Sequence, residues 1–129
     1  KGVYKELIQA DLSESLDLTP SAYGAVISSG TFTHSHVDAN ALDRIAHLLK
    51  PGAIFACTIH HAVWEEAGFA RTLERLGSDG MLVIEEIYDR VYFDGSGPDG
   101  RFCLLRRCHC KRKRTVEVER GDTLWVRGL

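Results

Sequence analysis

Apolar residues along this chain fall into short runs, bounded by turn-forming residues, that alternate between strand-like blocks and helix-like spacing. Residues 4–10 carry Leu7 and Ile8 and run into Asp11, the pattern of a short buried strand delivering a carboxylate at its end. A polar stretch with Pro20 follows as a loop, then YGAVIS (residues 23–28) predicts a second buried strand ended by Ser29 and Gly30. Asp38 is placed to cap a helix over residues 39–49, where Leu42, Ile45, Ala46 and Leu49 share one side, and Pro51-Gly52 stops it. AIFACTI (residues 53–59) is apolar enough for a strand covered on both faces. A helix over residues 63–76, with Phe69, Leu73 and Leu76 on one side and Gly77 as its stop, leads to a fourth strand at residues 81–88. DGSGPDG (residues 94–100) is irregular, and RFCLLRRC (residues 101–108) predicts a last strand.

That order predicts an α/β fold, a Rossmann-like and mostly parallel sheet with successive strands joined by helical crossovers. The 129 residues suit one domain, and 44% hydrophobic with 26% charged residues excludes disordered, collagenous and membrane compositions. No apolar run reaches the 18 or so residues of a membrane span and no signal-peptide core opens the chain, so no membrane partner and a cytoplasmic location are expected. The net charge of −2 hides an asymmetry: residues 1–100 hold 7 Lys/Arg against 15 Asp/Glu, and residues 101–129 hold 9 against 3. Cys57, Cys103, Cys108 and Cys110 match neither a disulfide framework nor paired zinc motifs and are expected as free thiols.

The segments YKELIQADL, YGAVISSGTFTHSHV, LLKPGAIFACTI and WEEAGFARTLERL, in that order and spacing, resemble the class I S-adenosylmethionine-dependent methyltransferase family over residues 4–88. The resemblance implies the C-terminal portion of that fold, with ADL ending its third strand, YGAVISSG forming the fourth, and LKPGA closing the helix before the fifth. It further implies S-adenosylmethionine as cofactor, Asp11 accepting from the adenine amino group, Leu12 offering its backbone amide to a ring nitrogen, and Ser28, Ser29 and Gly30 beside the methionine end. GTFTHSHV looks like a subgroup acting on small molecules, so the acceptor is expected to be a small molecule, with nucleic acid not expected as a partner. Gly24 and Ala53 depart from the family pattern at scaffold positions. The larger departure is that no glycine-rich loop and no following strand with a ribose-binding acidic residue precede Tyr4. The family places those two strands between the one ending at Asp11 and the one ending at Ser28. The sheet is therefore expected to be incomplete at its N-terminal side, the chain to be a fragment, and an unpaired edge to favour a homo-oligomer.

Independently of the family, open α/β sheets gather ligands outside the carboxyl ends of their strands, where Asp11, Ser28 to Thr33 and His60 would meet. His34 and His36 lie over that crevice, and an imidazole there can remove an acceptor proton, bind substrate or merely pack. With His60 and His61 they could also ligate a metal, although no carboxylate or thiol at ligand spacing accompanies them, and no metal is expected. Trp64 and Phe69 either roof a pocket or pack on the sheet. The expected organisation is a methyltransferase-like portion over residues 1–110 and a basic tail over 111–129, whose run Lys111 to Arg114 is a solvated segment or a nucleic-acid patch. Methyl transfer is the leading function; a non-catalytic methyltransferase-like interaction or assembly module is the alternative.

Overall fold

The computed structural model describes residues 2–33, 37–91, 99–109 and 123–127. Its elements are β1 (Tyr23–Phe32), α1 (Asn40–Leu48), β2 (Leu49–His60), α2 (His61–Trp64), α3 (Phe69–Ser78), β3 (Leu82–Arg90), β4 (Gly100–Arg107) and β5 (Thr123–Arg127). The five strands form one sheet in the order β3-β4-β2-β1-β5. β1 is parallel to β2 and to β5, whereas β4 runs antiparallel to both β2 and β3, so the α/β class holds but the sheet is mixed rather than mostly parallel. β3 and β4 pair antiparallel along their length, which sets β4 beside β2 and leaves β3 at the edge.

One face of the sheet holds the core. Val26, Phe55, Cys57, Ile59, Cys103 and Leu105 from β1, β2 and β4 are buried together with Leu42, Ile45 and Ala46 of α1 and Phe69, Leu73 and Leu76 of α3. The alternate positions, Ala25, Ile27, Ile54, Ala56, Phe102 and Leu104, are only half-buried, because the described helices spend their apolar sides on the first face. Strand alternation thus separates a packed face from an open one.

Several sequence expectations are corrected. Residues 4–10 form no strand; Tyr4, Leu7 and Ile8 are 55, 83 and 50% exposed, since two adjacent apolar residues point to opposite sides of an extended chain and give neither side enough to bury. β1 does not end at Ser29-Gly30 but continues to Phe32, its register against β2 shifting between Ser28 and Phe32 around Gly30 at φ +72°. Asp38 sits one residue before the helix cap Ala39, and its carboxylate accepts from the Asn40 amide at 3.0 Å. The helix predicted for residues 63–76 is two, α2 and α3, divided at Gly68, whose left-handed φ of 73° interrupts the helical path. Gly77 does not stop α3; the chain turns at Gly80, φ +69°.

β5 fills a place that the resemblance left empty. Leu124 and Val126 pair with Val26 and Ser28 and pack against the core, so the β1 edge expected to be open is covered by a strand from the C-terminal side of the chain. Lys111 to Arg114 lie outside the described residues.

Pro51-Gly52 does not separate helix from strand as expected: β2 starts at Leu49 and runs through both. Gly52 holds φ +81°, and a Cβ there would meet the His109 ring at 2.8 Å. Gly52→Ala is therefore expected to lower the unfolding free energy by about 1–3 kcal/mol, and adding His109→Ala should recover only the part due to the ring contact; urea denaturation of both variants separates the two.

Candidate functional site

β1 and β2 end together, and because β4 begins opposite His60 and β3 ends opposite Gly100, the same margin of the sheet collects residues from four strands. The first group there is a polar turn. The Ser28 hydroxyl donates to the Thr31 hydroxyl at 2.9 Å, both buried, and the Gly30 amide donates to the Thr58 hydroxyl at 3.4 Å. Gly30 allows the backbone to fold back through its positive φ, and a Cβ at that position would meet nothing within 4 Å. The turn thus leaves room in front of Gly30, beside the half-buried Ser29.

The second group went unread in the sequence. The ring of His61, at the start of α2, meets the Asp89 carboxylate of β3 through Nε2 at 3.1 Å, and Arg101 of β4 donates to the same carboxylate from Nε at 2.9 Å. The Arg101 guanidinium also lies 4.4 Å over the Trp64 ring, a cation–π contact that fixes its plane. Arg101, and then His61, hold the Asp89 carboxyl at about 2, below its ordinary 3.8. Asp89 so placed anchors one ring nitrogen of His61 and presents the other away from the carboxylate, the arrangement in which an imidazole accepts a proton. No sequence motif spans residues 61, 89 and 101; only the signal of two charged residues at the ends of neighbouring strands could have suggested it. His60, next along, accepts from the Ala62 amide through Nδ1 at 2.9 Å and caps α2.

The sequence-predicted site residues are not all brought to this margin. Asp11 is exposed and engaged in its own turn, its Oδ1 accepting from the Ser13 amide at 2.8 Å and from the Ser13 hydroxyl, and the Ser13 contacts lower its pKa. The Leu12 carbonyl accepts from Arg44 Nη1 at 2.9 Å, which ties this loop to α1. Ser28, Ser29 and Gly30 stand in the polar turn, while His34 and His36 lie outside the described residues. Trp64 and Phe69 are buried and stacked on each other at 6.4 Å, which makes them packing residues and not a pocket roof. Among the described residues no group of three His, Cys, Asp or Glu is placed to hold a metal, and no helix is long and apolar enough to cross a membrane. An open depression between α1 and α3, lined by Asp38, Asn40, Gly68 and Arg71, shares no residue with either group.

The donor set can be compared with what S-adenosylmethionine requires. The Ser28 to Thr31 turn offers a close backbone approach, but the Asp11 carboxylate is turned to Ser13. The described residues therefore fit one end of such a molecule and not the whole of it.

No family model matches the chain, and no curated protein does. Among solved structures it is similar to M1.HpyAVI in complex with S-adenosylmethionine (14% identity, TM-score 0.42, covering 80% of this chain and 56% of that one). It is also similar to M1.HpyAVI alone (13%, TM-score 0.48, 93% and 66%). A third is TTHA0409 of Thermus thermophilus, assigned as a DNA modification methylase (13%, TM-score 0.43, 82% and 53%). The chain spans about half to two thirds of the length of these proteins. The expectation of a small-molecule acceptor, with nucleic acid set aside as a partner, is corrected here: one of these neighbours is assigned as a DNA modification methylase.

A depressed carboxyl pKa contributes stability that is present above the unfolded value and lost as pH falls through the folded one. For Asp89 that window runs from its ordinary 3.8 down to about 2. The urea midpoint of the native chain should fall across this window by more than that of Asp89→Asn, which lacks the titrating group; parallel slopes for the two proteins would show that Asp89 is not held by Arg101 and His61 in solution.

Proposed function

We propose that this chain is the acceptor-side part of an S-adenosylmethionine-dependent methyltransferase, and that its acceptor is a nucleic acid. The observation that carries the reading is the margin where the parallel strands β1 and β2 end together. A glycine-turned polar loop stands there beside the His61–Asp89–Arg101 cluster, and β5 lies on the side of β1 where the family resemblance expects further strands. The charge distribution supports the acceptor class: residues 101–129 hold 9 Lys/Arg against 3 Asp/Glu, and a basic stretch of this kind attracts phosphate backbones.

When bound, the cofactor supplies an electrophilic methyl group on a sulfonium. The chain's own residues do the rest of the work in this reading. The Ser28 to Thr31 turn brings backbone close to the reacting groups, Asp89 fixes the orientation of the His61 ring, and His61 takes a proton from the acceptor where the acceptor carries one. Arg101, held between Asp89 and Trp64, keeps the carboxylate ionised and the imidazole aligned.

Two titrations test the reading. Binding of a labelled DNA duplex should weaken by about tenfold or more between about 50 and 200 mM salt, and replacing Lys111, Arg112, Lys113 and Arg114 by Ala should flatten that dependence. Calorimetric titration with S-adenosylmethionine and S-adenosylhomocysteine, of this chain and of any longer natural form of it, should give saturable binding in at least one of them. Salt-independent or absent DNA binding removes the acceptor class; absence of cofactor binding in every form tested removes the methyltransferase reading and leaves an interaction module.

A further inference from the structure

Cys57 of β2 and Cys103 of β4 stand directly opposite each other in the antiparallel register, on the face covered by α1 and α3. They are 4 and 3% exposed, and both are free thiols. Neither has a part in the polar turn or in the His61 cluster. Directly opposed residues of an antiparallel pair hold their Cβ atoms about 4.5–5.5 Å apart, and a disulfide spans about 3.5–4.5 Å between Cβ atoms. Closing the pair therefore asks for a movement on the order of an ångström, with no slide of one strand along the other.

The two thiols differ. The neighbouring Cys57 thiol and then the Arg101 guanidinium lower the pKa of Cys103, whereas the Cys103 thiol and burial raise that of Cys57. Cys103 is thus the first nucleophile and Cys57 the one that resolves. Both side chains lie under the helix layer, so a small molecule reaches them through local opening of the packed core.

We propose that Cys57 and Cys103 form a reversible dithiol–disulfide pair, a modification site that staples β2 to β4 when a small-molecule disulfide of the glutathione class oxidises it. The Cys103 thiolate attacks one sulfur of the small disulfide; a bond forms to Cys103, the small molecule's S–S bond breaks, and the departing thiolate takes up a proton. Cys57 then gives up its proton and attacks the Cys103 sulfur, forming the Cys57–Cys103 bond and releasing the second small thiol. Two protein thiols are oxidised by two electrons, and one disulfide is reduced to two thiols. The bond closes a loop that contains α2, α3 and β3, and it lies two residues from Arg101, so the oxidised form holds the margin carrying Asp89 more rigidly.

The experiment treats a Cys108→Ser/Cys110→Ser variant with oxidised glutathione, followed by alkylation in denaturant and peptide mapping, with the native chain mapped in the same way. The expected result is a loss of two hydrogens in mass, a peptide linked through residues 57 and 103 in both proteins, and a melting temperature raised by about 3–8 °C and restored by dithiothreitol. Cys57→Ser should stop at a glutathione adduct on Cys103. Two alkylatable thiols at 57 and 103 after prolonged exposure, or linkage only through Cys108 or Cys110, would overturn the proposal.

Discussion

The structure depends on β2. Among the described strands it is the one that pairs in parallel on one side, with β1, and antiparallel on the other, with β4, and its residues Phe55, Cys57 and Ile59 all face the helices with almost no exposure. Hydrogen bonding in both directions and burial of a whole side-chain row make this strand the place where the parallel half and the hairpin half of the sheet are joined. Every residue of the candidate site is attached to it within one strand's distance, except Asp89, which is reached across β4.

The margin beyond the end of β2 illustrates how a sheet assembles chemistry without a motif. His61 follows β2 directly, Asp89 arrives at the end of β3, and Arg101 arrives at the start of β4. The three meet because the β3-β4 hairpin reverses next to the β2 terminus, and the Arg101 guanidinium then lies between a carboxylate and the Trp64 ring. The same reversal sets Cys103 against Cys57, so the ion cluster and the thiol pair are two results of one register. A shift of that register by a single residue would move Arg101 and Cys103 to the open face and separate both sets at once.

The sheet is packed unevenly. Its helix-covered face is continuous, while the other presents half-buried Ile27, Ile54, Phe102 and Leu104, and Tyr88 stacks on Phe102 at 5.5 Å with Arg90 over its ring. On the edge, Glu85 pairs with Arg106 at 2.7 Å. Charged side chains on an edge strand oppose its pairing with another chain.

The sequence by itself determined the alternation of strands and helices from β1 to β4, because periods of two and 3.6 are properties of local backbone geometry: Leu42, Ile45 and Ala46 mark α1 and residues 53–59 mark most of β2 without reference to anything distant. It also singled out Ser29 and Gly30, although the strand expected to end there runs on to Phe32 through a register shift. Tertiary structure alone decided the rest. Residues 4–10 carry apolar side chains yet form no strand, and Leu124 and Val126, whose alternation allows a strand but names no partner for it, become β5 because β1 offers them a parallel edge. The meeting of His61 with Asp89 and Arg101, and of Cys57 with Cys103, joins positions 12 to 46 residues apart. Such contacts are fixed by strand order and register, and those are settled by which edges can pair and which faces can be buried once all the elements are present.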